Sequence, residues 1–329
     1  MQYRTLGVSD IQISVVGMGT WAIGGGPWWG ATDDSESIRA IHAALDHGVN
    51  LIDTAPVYGF GRSESIVGEA LHDRRNRAVI ATKCGLWWDS ATGTHHFDYD
   101  GRSVYRSLSP ATLRIEVERS LKRLRTDYID LLQTHWQSVE PVKTPIEDTM
   151  AFLMQLRDEG KIRAIGASNV SCAEMDEYRA AGVLCSNQPR YSMLDRQIED
   201  EVLPYCQEHS IAVLAYSPLE QGLLTGKIGM DYTLTENAVR NRIAWFKPEN
   251  RAKVIDVING WQALTQKYQC TLAQLVIAWT VAQSGLTCAL CGARKASNII
   301  ENAGAGSLQL EDADICKMRS DVEKLGKPL

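Results

Sequence analysis

Four side chains capable of acid–base chemistry lie at or just beyond the ends of three apolar segments. Asp53 ends the first segment, and Tyr58 follows it five residues later. Lys83 ends the second segment and His135 ends the third. Taken singly, each has an ordinary structural explanation, such as a helix-capping aspartate or a core histidine. Their coincidence at three segment ends favours a shared chemical role.

These four residue types suit proton transfer to a carbonyl oxygen. A free tyrosine has a pKa near 10, which is too high for easy proton transfer at neutral pH, and a nearby ammonium lowers it by stabilising the phenolate. Lys83 could supply that charge, and Asp53 could hold Lys83 charged and in place. His135 could donate a hydrogen bond that orients the substrate oxygen. The pattern therefore predicts a reaction in which Tyr58 is the general acid.

Such a site needs a scaffold that brings three separate segments to one rim. Apolar, β-rich runs recur along the chain at residues 13–19, 50–55, 78–83, 128–135, 162–168, 184–188, 211–217 and 286–292. They are continuously apolar and alternate with helical patterns, as parallel strands buried on both faces do. An open doubly wound sheet and a closed barrel both fit, but eight repeats without a linker favour the barrel. We expect an α/β fold, a single (β/α)8 TIM barrel over residues 1–329, with its site at the carboxyl ends of the strands.

Helix-end signals support this division of the chain. Residues 35–45 carry an apolar stripe, and Gly48 follows where a C-terminal glycine belongs. Ser109-Pro110 opens a second helix, and capping boxes are predicted at 144–147 and 271–274. The two long connections, 86–109 and 218–249, both follow strands. In a barrel they would lie on the catalytic face.

Composition excludes several classes of protein. The net charge is −6 without a basic block, so a nucleic-acid partner is not expected. The N-terminus does not resemble a signal peptide, and no apolar run reaches the length of a membrane span. Eight scattered cysteines suggest reduced thiols in a cytoplasmic protein. The oligomeric state stays open.

Three short motifs resemble sites but are better explained structurally. Residues 17–22 imitate a dinucleotide fingerprint, yet a glycine-rich loop follows where a helix would have to begin. Cys288 and Cys291 form a lone CxxC pair inside a predicted strand, which indicates core. The His95-His96 pair lies in a polar loop with two aspartates, and we expect no metal site there.

The chain resembles the aldo-keto reductases, in the bacterial branch near the potassium-channel β-subunit type, over nearly its whole length. The signature-like segments are NLIDTAPVYGFGRSESIVGEAL (50–71), VIATK (79–83), SLKRLRTDYIDLLQTH (120–135), GKIRAIGASN (160–169), YSPLEQGLLTGK (216–227) and GARKASNIIENAGA (292–305). The resemblance implies NADPH-dependent reduction of an aldehyde or ketone. In that reaction Tyr58 is the acid, the Lys83–Asp53 pair tunes it, and His135 lies near the carbonyl oxygen.

The resemblance also implies cofactor contacts. Gly19, Thr20, Trp21 and Asp53 would lie near the reactive end; Ser168, Asn169, Gln188 and Tyr216 would hold the nicotinamide; Ser217, Pro218, Leu219 and Gly222 would line the pyrophosphate; and Gly292, Arg294, Lys295, Ser297, Asn298, Glu301 and Asn302 would form the adenosine end. Arg294 matches an arginine near the 2′-phosphate, and a planar fork of donors suits a phosphate. Lys295 and Ser297 depart from the usual family residues and could add phosphate contacts, which favours NADPH.

Tryptophans concentrate near the predicted catalytic rim. Trp21, Trp87, Trp136 and Trp245 are predicted to line the substrate site together with Tyr58 and His135. Flat aromatic faces beside polar groups suit sugar rings as well as aromatic aldehydes. A carbohydrate-type aldehyde is therefore one hypothesis for the substrate, beside a generic aldehyde.

Two other functions fit some of these features. One is a Schiff-base aldolase on the same barrel, with Lys83 as the nucleophile. It leaves the cofactor-like segment 292–305 unexplained. The other is an NADPH-binding regulatory subunit whose slow redox activity serves as a sensor for a partner protein.

Overall fold

The computed structural model describes residues 1–236 and 238–329. Its strands are β1 (Tyr3–Thr5), β2 (Gln12–Ser14), β3 (Val16–Gly19), β4 (Leu51–Asp53), β5 (Val79–Cys84), β6 (Leu86–Trp87), β7 (Thr94–Tyr99), β8 (Arg102–Arg106), β9 (Ile129–Thr134), β10 (Ile162–Ser168), β11 (Ser186–Gln188), β12 (Ala212–Tyr216) and β13 (Cys288–Gly292). Its α-helices are α1 (Gly26–Trp29), α2 (Asp34–Asp46), α3 (Arg62–Ala70), α4 (Pro110–Leu124), α5 (Ile146–Asp158), α6 (Cys172–Ala181), α7 (Val202–Glu208), α8 (Pro248–Asn259), α9 (Gln262–Lys267), α10 (Leu272–Val281), α11 (Ala296–Gly304) and α12 (Asp312–Glu323). Short 3₁₀ turns occupy Trp21–Gly24, Arg75–Arg77, Gln197–Glu199, Glu220–Thr225, Val239–Arg242, Ala244–Phe246 and Ala305–Ser307.

Eight parallel strands close into a barrel in the order β3-β4-β5-β9-β10-β11-β12-β13, and β13 pairs with β3. The predicted (β/α)8 barrel is confirmed, and the open-sheet alternative is wrong. Every residue of β5 and β9 is buried, as their largely apolar sequences predict. The predicted strand 13–19 is divided, because its first residues belong to β2.

The amino end of the barrel is plugged by an antiparallel ribbon. Strands β1 and β2 pair with each other, and Leu6, Ile11 and Ile13 around them pack in one buried cluster with the inward-facing side chains of the barrel strands. Burial of these apolar side chains leaves the carboxyl end as the face that can hold a site.

The helix-end predictions hold with one exception. Ser109 caps α4, and Thr271 forms a capping box with Gln274 at α10. The capping box predicted at 144–147 is wrong. Pro145 has φ −56° and ψ 141°, an extended conformation, so α5 begins one residue later and no side chain caps it.

Both long connections lie at the carboxyl end of the barrel. Strands β6, β7 and β8 from the segment 86–109 form a separate antiparallel sheet in the order β6-β8-β7. This sheet packs through Leu86 and Val104 against Ala55 and Val57, which follow β4. It therefore forms a wall beside the strand ends. The segment 218–249 lies on the same face and, like the segment 86–109, contributes residues to a cavity at the carboxyl end of the barrel.

None of the helices in the described part of the chain is long and apolar enough to cross a bilayer.

Candidate active site

Neighbouring barrel strands bring the four predicted acid–base residues together. Asp53 ends β4, Lys83 lies near the end of β5, and His135 directly follows β9. Strand β5 pairs with both β4 and β9, so the three side chains reach one rim. Tyr58 lies in the turn between β4 and α3, where its amide donates to the Ala55 carbonyl. The sequence-based grouping of these residues agrees with the geometry.

The ammonium of Lys83 links three of these groups. Its Nζ lies 2.7 Å from Asp53 Oδ1, 3.0 Å from the Thr54 carbonyl oxygen and 3.3 Å from Tyr58 Oη. Burial alone would lower the pKa of Lys83, but the carboxylate of Asp53 and the Tyr58 oxygen raise it above its ordinary value. The amine is therefore held protonated. A protonated amine is a poor nucleophile, which argues against the Schiff-base aldolase.

The Tyr58 phenol is subject to opposing influences. Burial raises its pKa, the charge of Lys83 lowers it, and Asp53 raises it again. The net pKa of Tyr58 lies above the ordinary tyrosine value. The sequence predicts a lowered pKa because it considers only the charge of Lys83 and not the effect of burial. At neutral pH the phenol keeps its proton and can donate it, while the ammonium beside it stabilises the phenolate that donation leaves.

The His135 imidazole is neutral at physiological pH. Burial lowers its pKa well below the usual value, helped by the charge of Lys83 and by His96. Its ring meets the Tyr58 ring edge-on, with 5.8 Å between centroids, and both residues line one cavity. A neutral imidazole beside the phenol can donate a hydrogen bond to an oxygen held at this point.

Two glutamines contact the carboxylate of Asp53, and the sequence analysis singled out only one of them, Gln188. Gln188 Nε2 donates to Asp53 Oδ2 at 2.8 Å, and Gln133 Nε2 reaches the same oxygen at 3.3 Å. The signal was present, because Gln133 interrupts an apolar strand two residues before His135. The resemblance assigns Gln188 to the cofactor, whereas its amide here positions the carboxylate that holds Lys83.

A cavity of about 760 Å³ opens over these residues at the carboxyl end of the barrel. Most predicted cofactor residues line it, namely Gly19, Trp21, Asp53, Ser168, Asn169, Gln188, Tyr216, Ser217, Pro218, Leu219, Gly222, Gly292, Arg294, Lys295, Asn298, Glu301 and Asn302. Thr20 and Ser297 do not line it. Thr20 is fully buried and its hydroxyl donates to the Asp53 carbonyl, while Ser297 lies exposed on α11. Through this hydrogen bond Thr20 helps to fix the carboxyl end of β4.

The cavity wall fits a dinucleotide. Gln221 Oε1 and Trp29 Nε1 are buried without a hydrogen-bond partner among the described residues, and both residues line the cavity. A Cβ added at Gly292 would meet no atom within 4 Å, so this glycine faces open space. The lining cations are Lys227, Arg240, Arg242, Arg294 and Lys295. Cations and unpartnered polar atoms around an open channel suit a ligand with phosphates and amides.

The loop after β12 has a strained backbone, which an ion pair between the buried Glu220 and the half-buried Arg190 holds in place. Glu220, Gln221 and Gly222 have φ of 46°, 51° and 99° in succession. The buried carboxylate of Glu220 accepts from Arg190 and, at 2.8 Å, from Ser192. Left-handed non-glycine residues persist only where surrounding contacts impose them, commonly at ligand sites. The ion pair thus orders the segment predicted to line the pyrophosphate.

The tryptophans divide into two groups. Trp21 and Trp136 line the cavity as predicted, and Trp28 and Trp29 join them. The predictions for Trp87 and Trp245 are wrong, since neither lines it. The indole of Trp87 is buried and donates to Ser90 Oγ, and that of Trp245 lies in the main core and donates to the Leu194 carbonyl. The position of each tryptophan in the chain predicts that it faces the substrate, but such a position does not determine side-chain direction.

The motifs set aside in the sequence have structural roles. A 3₁₀ turn follows β3, and Cys288 and Cys291 are buried, free thiols in β13. Residues 1–236 and 238–329 contain no group of three or more histidine, cysteine or acidic side chains placed to hold a metal ion.

Comparison with known proteins gives consistent matches. The family model described as "Aldo/keto reductase family" matches residues 15–322. The chain is 48% identical over 327 residues to a protein of Escherichia coli K12 named NADH-specific methylglyoxal reductase, covering 99% of each chain. A solved structure of a glycerol dehydrogenase from Gluconobacter oxydans is 40% identical with a TM-score of 0.88, covering 99% of this chain and 96% of that one. An aldo/keto reductase from Klebsiella pneumoniae, solved with NADP and acetate, is 28% identical with a TM-score of 0.71, covering 94% and 92%.

Proposed function

Since the chain belongs to the aldo/keto reductase family and is an oxidoreductase of that family, we propose that it reduces the carbonyl of small oxygenated aldehydes and ketones with NADPH. The contact of Lys83 Nζ with both Asp53 and Tyr58 Oη carries this proposal. This contact supports the proposal because a proton donor, and a cation that would stabilise the phenolate left behind, lie beside the cavity.

The protein's own groups move the proton. A reduced nicotinamide held in the cavity would supply the hydride to the carbonyl carbon. The π bond of the carbonyl breaks, and its oxygen takes the proton of Tyr58 Oη to become a hydroxyl. Lys83 stabilises the phenolate until solvent returns a proton. His135 hydrogen-bonds the carbonyl oxygen and aligns it with Tyr58, and such positioned acid–base groups contribute about 10²–10⁴ in rate.

The choice of NADPH depends on the cations at one end of the cavity. Arg294 and Lys295 both line it, and Arg294 Nη1 donates to the carbonyl of Trp29 at 3.0 Å. Its remaining donors can meet a phosphate. The Klebsiella structure contains NADP, whereas the name of the E. coli relative states NADH specificity. The two nucleotides therefore need a direct comparison.

Replacing Arg294 with alanine should weaken the binding of NADPH much more than the binding of NADH. Loss of one charge-assisted phosphate contact, worth about 1.5–3 kcal/mol, corresponds to roughly a 10- to 150-fold rise in KM for NADPH. We expect KM for NADH to change by less than about threefold, because NADH lacks the 2′-phosphate. Steady-state kinetics with both nucleotides measure this. An equal loss for both, or a wild-type preference for NADH, would contradict the assignment to NADPH.

The substrate class follows from two considerations. The names of two relatives give methylglyoxal and glycerol as their compounds. Methylglyoxal, and the carbonyl compounds that oxidation of glycerol yields, all carry an oxygen on the carbon beside the carbonyl. The tryptophan faces in the cavity suit the C–H faces of small sugar-like molecules. Glyceraldehyde and other short sugar aldehydes therefore fit the site.

A substrate panel tests this proposal. Methylglyoxal and glyceraldehyde should be reduced with a higher kcat/KM than benzaldehyde, measured by loss of NADPH absorbance. Turnover above about 1 s⁻¹, within the usual range for enzymes, would also separate a metabolic reductase from a slow redox sensor. Equal or better use of benzaldehyde would count against oxygenated substrates, and no reduction of any carbonyl would refute the function itself.

A further inference from the structure

A β-bulge in the wall beside the cavity turns one histidine inward. In the β7–β8 pairing His95 lies opposite Tyr105 and Phe97 lies opposite Val104, so His96 is an extra residue on β7. His96 and Phe97 both line the cavity, although neighbouring residues of a regular strand point to opposite faces. Bulges commonly redirect a side chain next to a site. The irregularity places the His96 imidazole at the cavity.

The contacts of His96 determine which ring nitrogen carries the proton. Arg106 Nη2 lies 3.1 Å from His96 Nδ1, and a guanidinium can only donate, so Nδ1 accepts. Burial lowers the pKa of His96 to about 4, assisted by the positive charge of Arg106 and by His95. At neutral pH the ring is therefore neutral, with its proton on Nε2. Nε2 has no hydrogen-bond partner in the part of the chain that the structure describes.

This donor lies close to the reacting groups. The His96 ring packs against Trp136 with 5.4 Å between centroids, and Arg106 lies over the Trp136 ring at 5.0 Å. Trp136 directly follows His135, and His96 and His135 both line the cavity. His96 and His135 thus present two imidazoles to neighbouring points of one cavity.

We propose that His96 is a specificity residue whose Nε2 donates a hydrogen bond to the oxygen on the carbon next to the reacting carbonyl. The substrates it selects are 2-oxoaldehydes, 2-hydroxyaldehydes and 2-hydroxyketones, and this assignment depends on the proposed reductase function. His135 binds the oxygen that is reduced, and His96 binds its neighbour. Arg106 is a positioning residue, because its hydrogen bond keeps the proton of His96 on the nitrogen that is free to donate.

The test compares two aldehydes that differ by a single hydroxyl, 2-hydroxypropanal and propanal, with methylglyoxal as a third substrate. His96→Phe keeps an aromatic ring but removes the donor. We expect kcat/KM to fall about tenfold for 2-hydroxypropanal and methylglyoxal, the scale of one hydrogen bond of about 1 kcal/mol or somewhat more. For propanal the change should stay below about twofold, since propanal has no second oxygen. Fluorescence titration of NADPH checks that the variant folds and binds the nucleotide.

Two further variants complete the design. His95→Phe changes the neighbouring histidine, which is exposed, pairs with Asp98 and does not line the cavity, and we expect it to leave all three rates unchanged. His96→Gln restores an amide donor in the position of Nε2, and it should retain most of the preference for 2-hydroxypropanal over propanal. If His96→Gln loses that preference as fully as His96→Phe, a side-chain N–H donor at this position does not set the preference and the hydrogen bond is refuted.

The outcomes also separate this inference from the function it depends on. If the wild-type protein reduces the three aldehydes and His96→Phe affects propanal and 2-hydroxypropanal equally, the role of His96 is overturned and the reductase function stands. If the wild-type protein reduces none of them with either nucleotide, the proposed function fails, and the role of His96 fails with it.

Discussion

Replacing Tyr58 with phenylalanine should lower kcat for carbonyl reduction by about 10²–10⁴, the usual contribution of a positioned general acid. The substitution removes one oxygen, the one that lies 3.3 Å from Lys83 Nζ. The ring still packs between Trp21 and His135, at 6.1 and 5.8 Å. Nucleotide affinity should therefore change by less than about threefold, because the hydroxyl is needed only in the transition state. Stopped-flow reduction and fluorescence titration measure the two quantities separately.

Tyr105→Phe is the matched control for this substitution. Tyr105 lies in β8 of the same wall, and its hydroxyl has no hydrogen-bond partner within the described residues. Its loss should leave kcat unchanged. Near-full activity of Tyr58→Phe would refute the role of the phenol as the acid.

The pH dependence of the reduction rate should reflect the ionisation of the Tyr58 phenol. Because burial raises the pKa of Tyr58 despite the charge of Lys83, the phenol stays protonated through neutral pH. The group is active in its protonated form, so kcat/KM should be level on the acid side and fall only at alkaline pH, as the phenol ionises. In Tyr58→Phe this alkaline fall should disappear from the residual rate.

Replacing Lys83 with methionine should cost both activity and stability. Lys83 is 1% exposed and forms an ion pair with Asp53, which is itself buried. Removing one partner of a buried pair leaves an uncompensated charge, which typically lowers the free energy of unfolding by about 3–5 kcal/mol. Reduction should also slow about 100-fold or more, because no cation remains to stabilise the Tyr58 phenolate. Urea denaturation and steady-state kinetics measure the two effects.

A double variant separates charge from packing. Asp53→Asn combined with Lys83→Met removes both charges, and replacing a buried ion pair by neutral groups is often close to neutral for stability. We expect the double variant to recover most of the lost free energy of unfolding but none of the activity. If Lys83→Met were as stable as the wild type, the contribution assigned to the buried Lys83–Asp53 ion pair would be wrong. Recovery of turnover in the double variant would show that the phenol needs no cation.

The regular elements of the barrel could be predicted because they follow a simple repeat. Strands β5 and β9 are largely apolar and fully buried, and each has a polar side chain at or just beyond its carboxyl end, Lys83 and His135. In parallel strands the direction of a side chain follows from its position. Lys83 and His135 could therefore be placed at one rim without coordinates, and Asp53 joined them for the same reason.

Side-chain directions and caps in the irregular segments could not be predicted in this way. Position in a loop suggested that Trp87 and Trp245 face the substrate, whereas both indoles are buried elsewhere. The sequence places His96 in a polar loop without a metal site, and only the pairing of β7 with β8 reveals the bulge that turns it inward. The capping box at 144–147 failed since the sequence does not show that Pro145 adopts an extended conformation.

The amino-acid sequence by itself determined the barrel, its carboxyl-end site and the grouping of Asp53, Tyr58, Lys83 and His135, because strand periodicity and burial on both faces leave few arrangements of a parallel sheet. Only the tertiary structure decided the support of Asp53 by Gln133 and Gln188, the net direction of the Tyr58 pKa, and the inward turn of His96. These properties depend on distances between segments far apart in the chain and on the solvent that those segments exclude. No local pattern of residues carries that information.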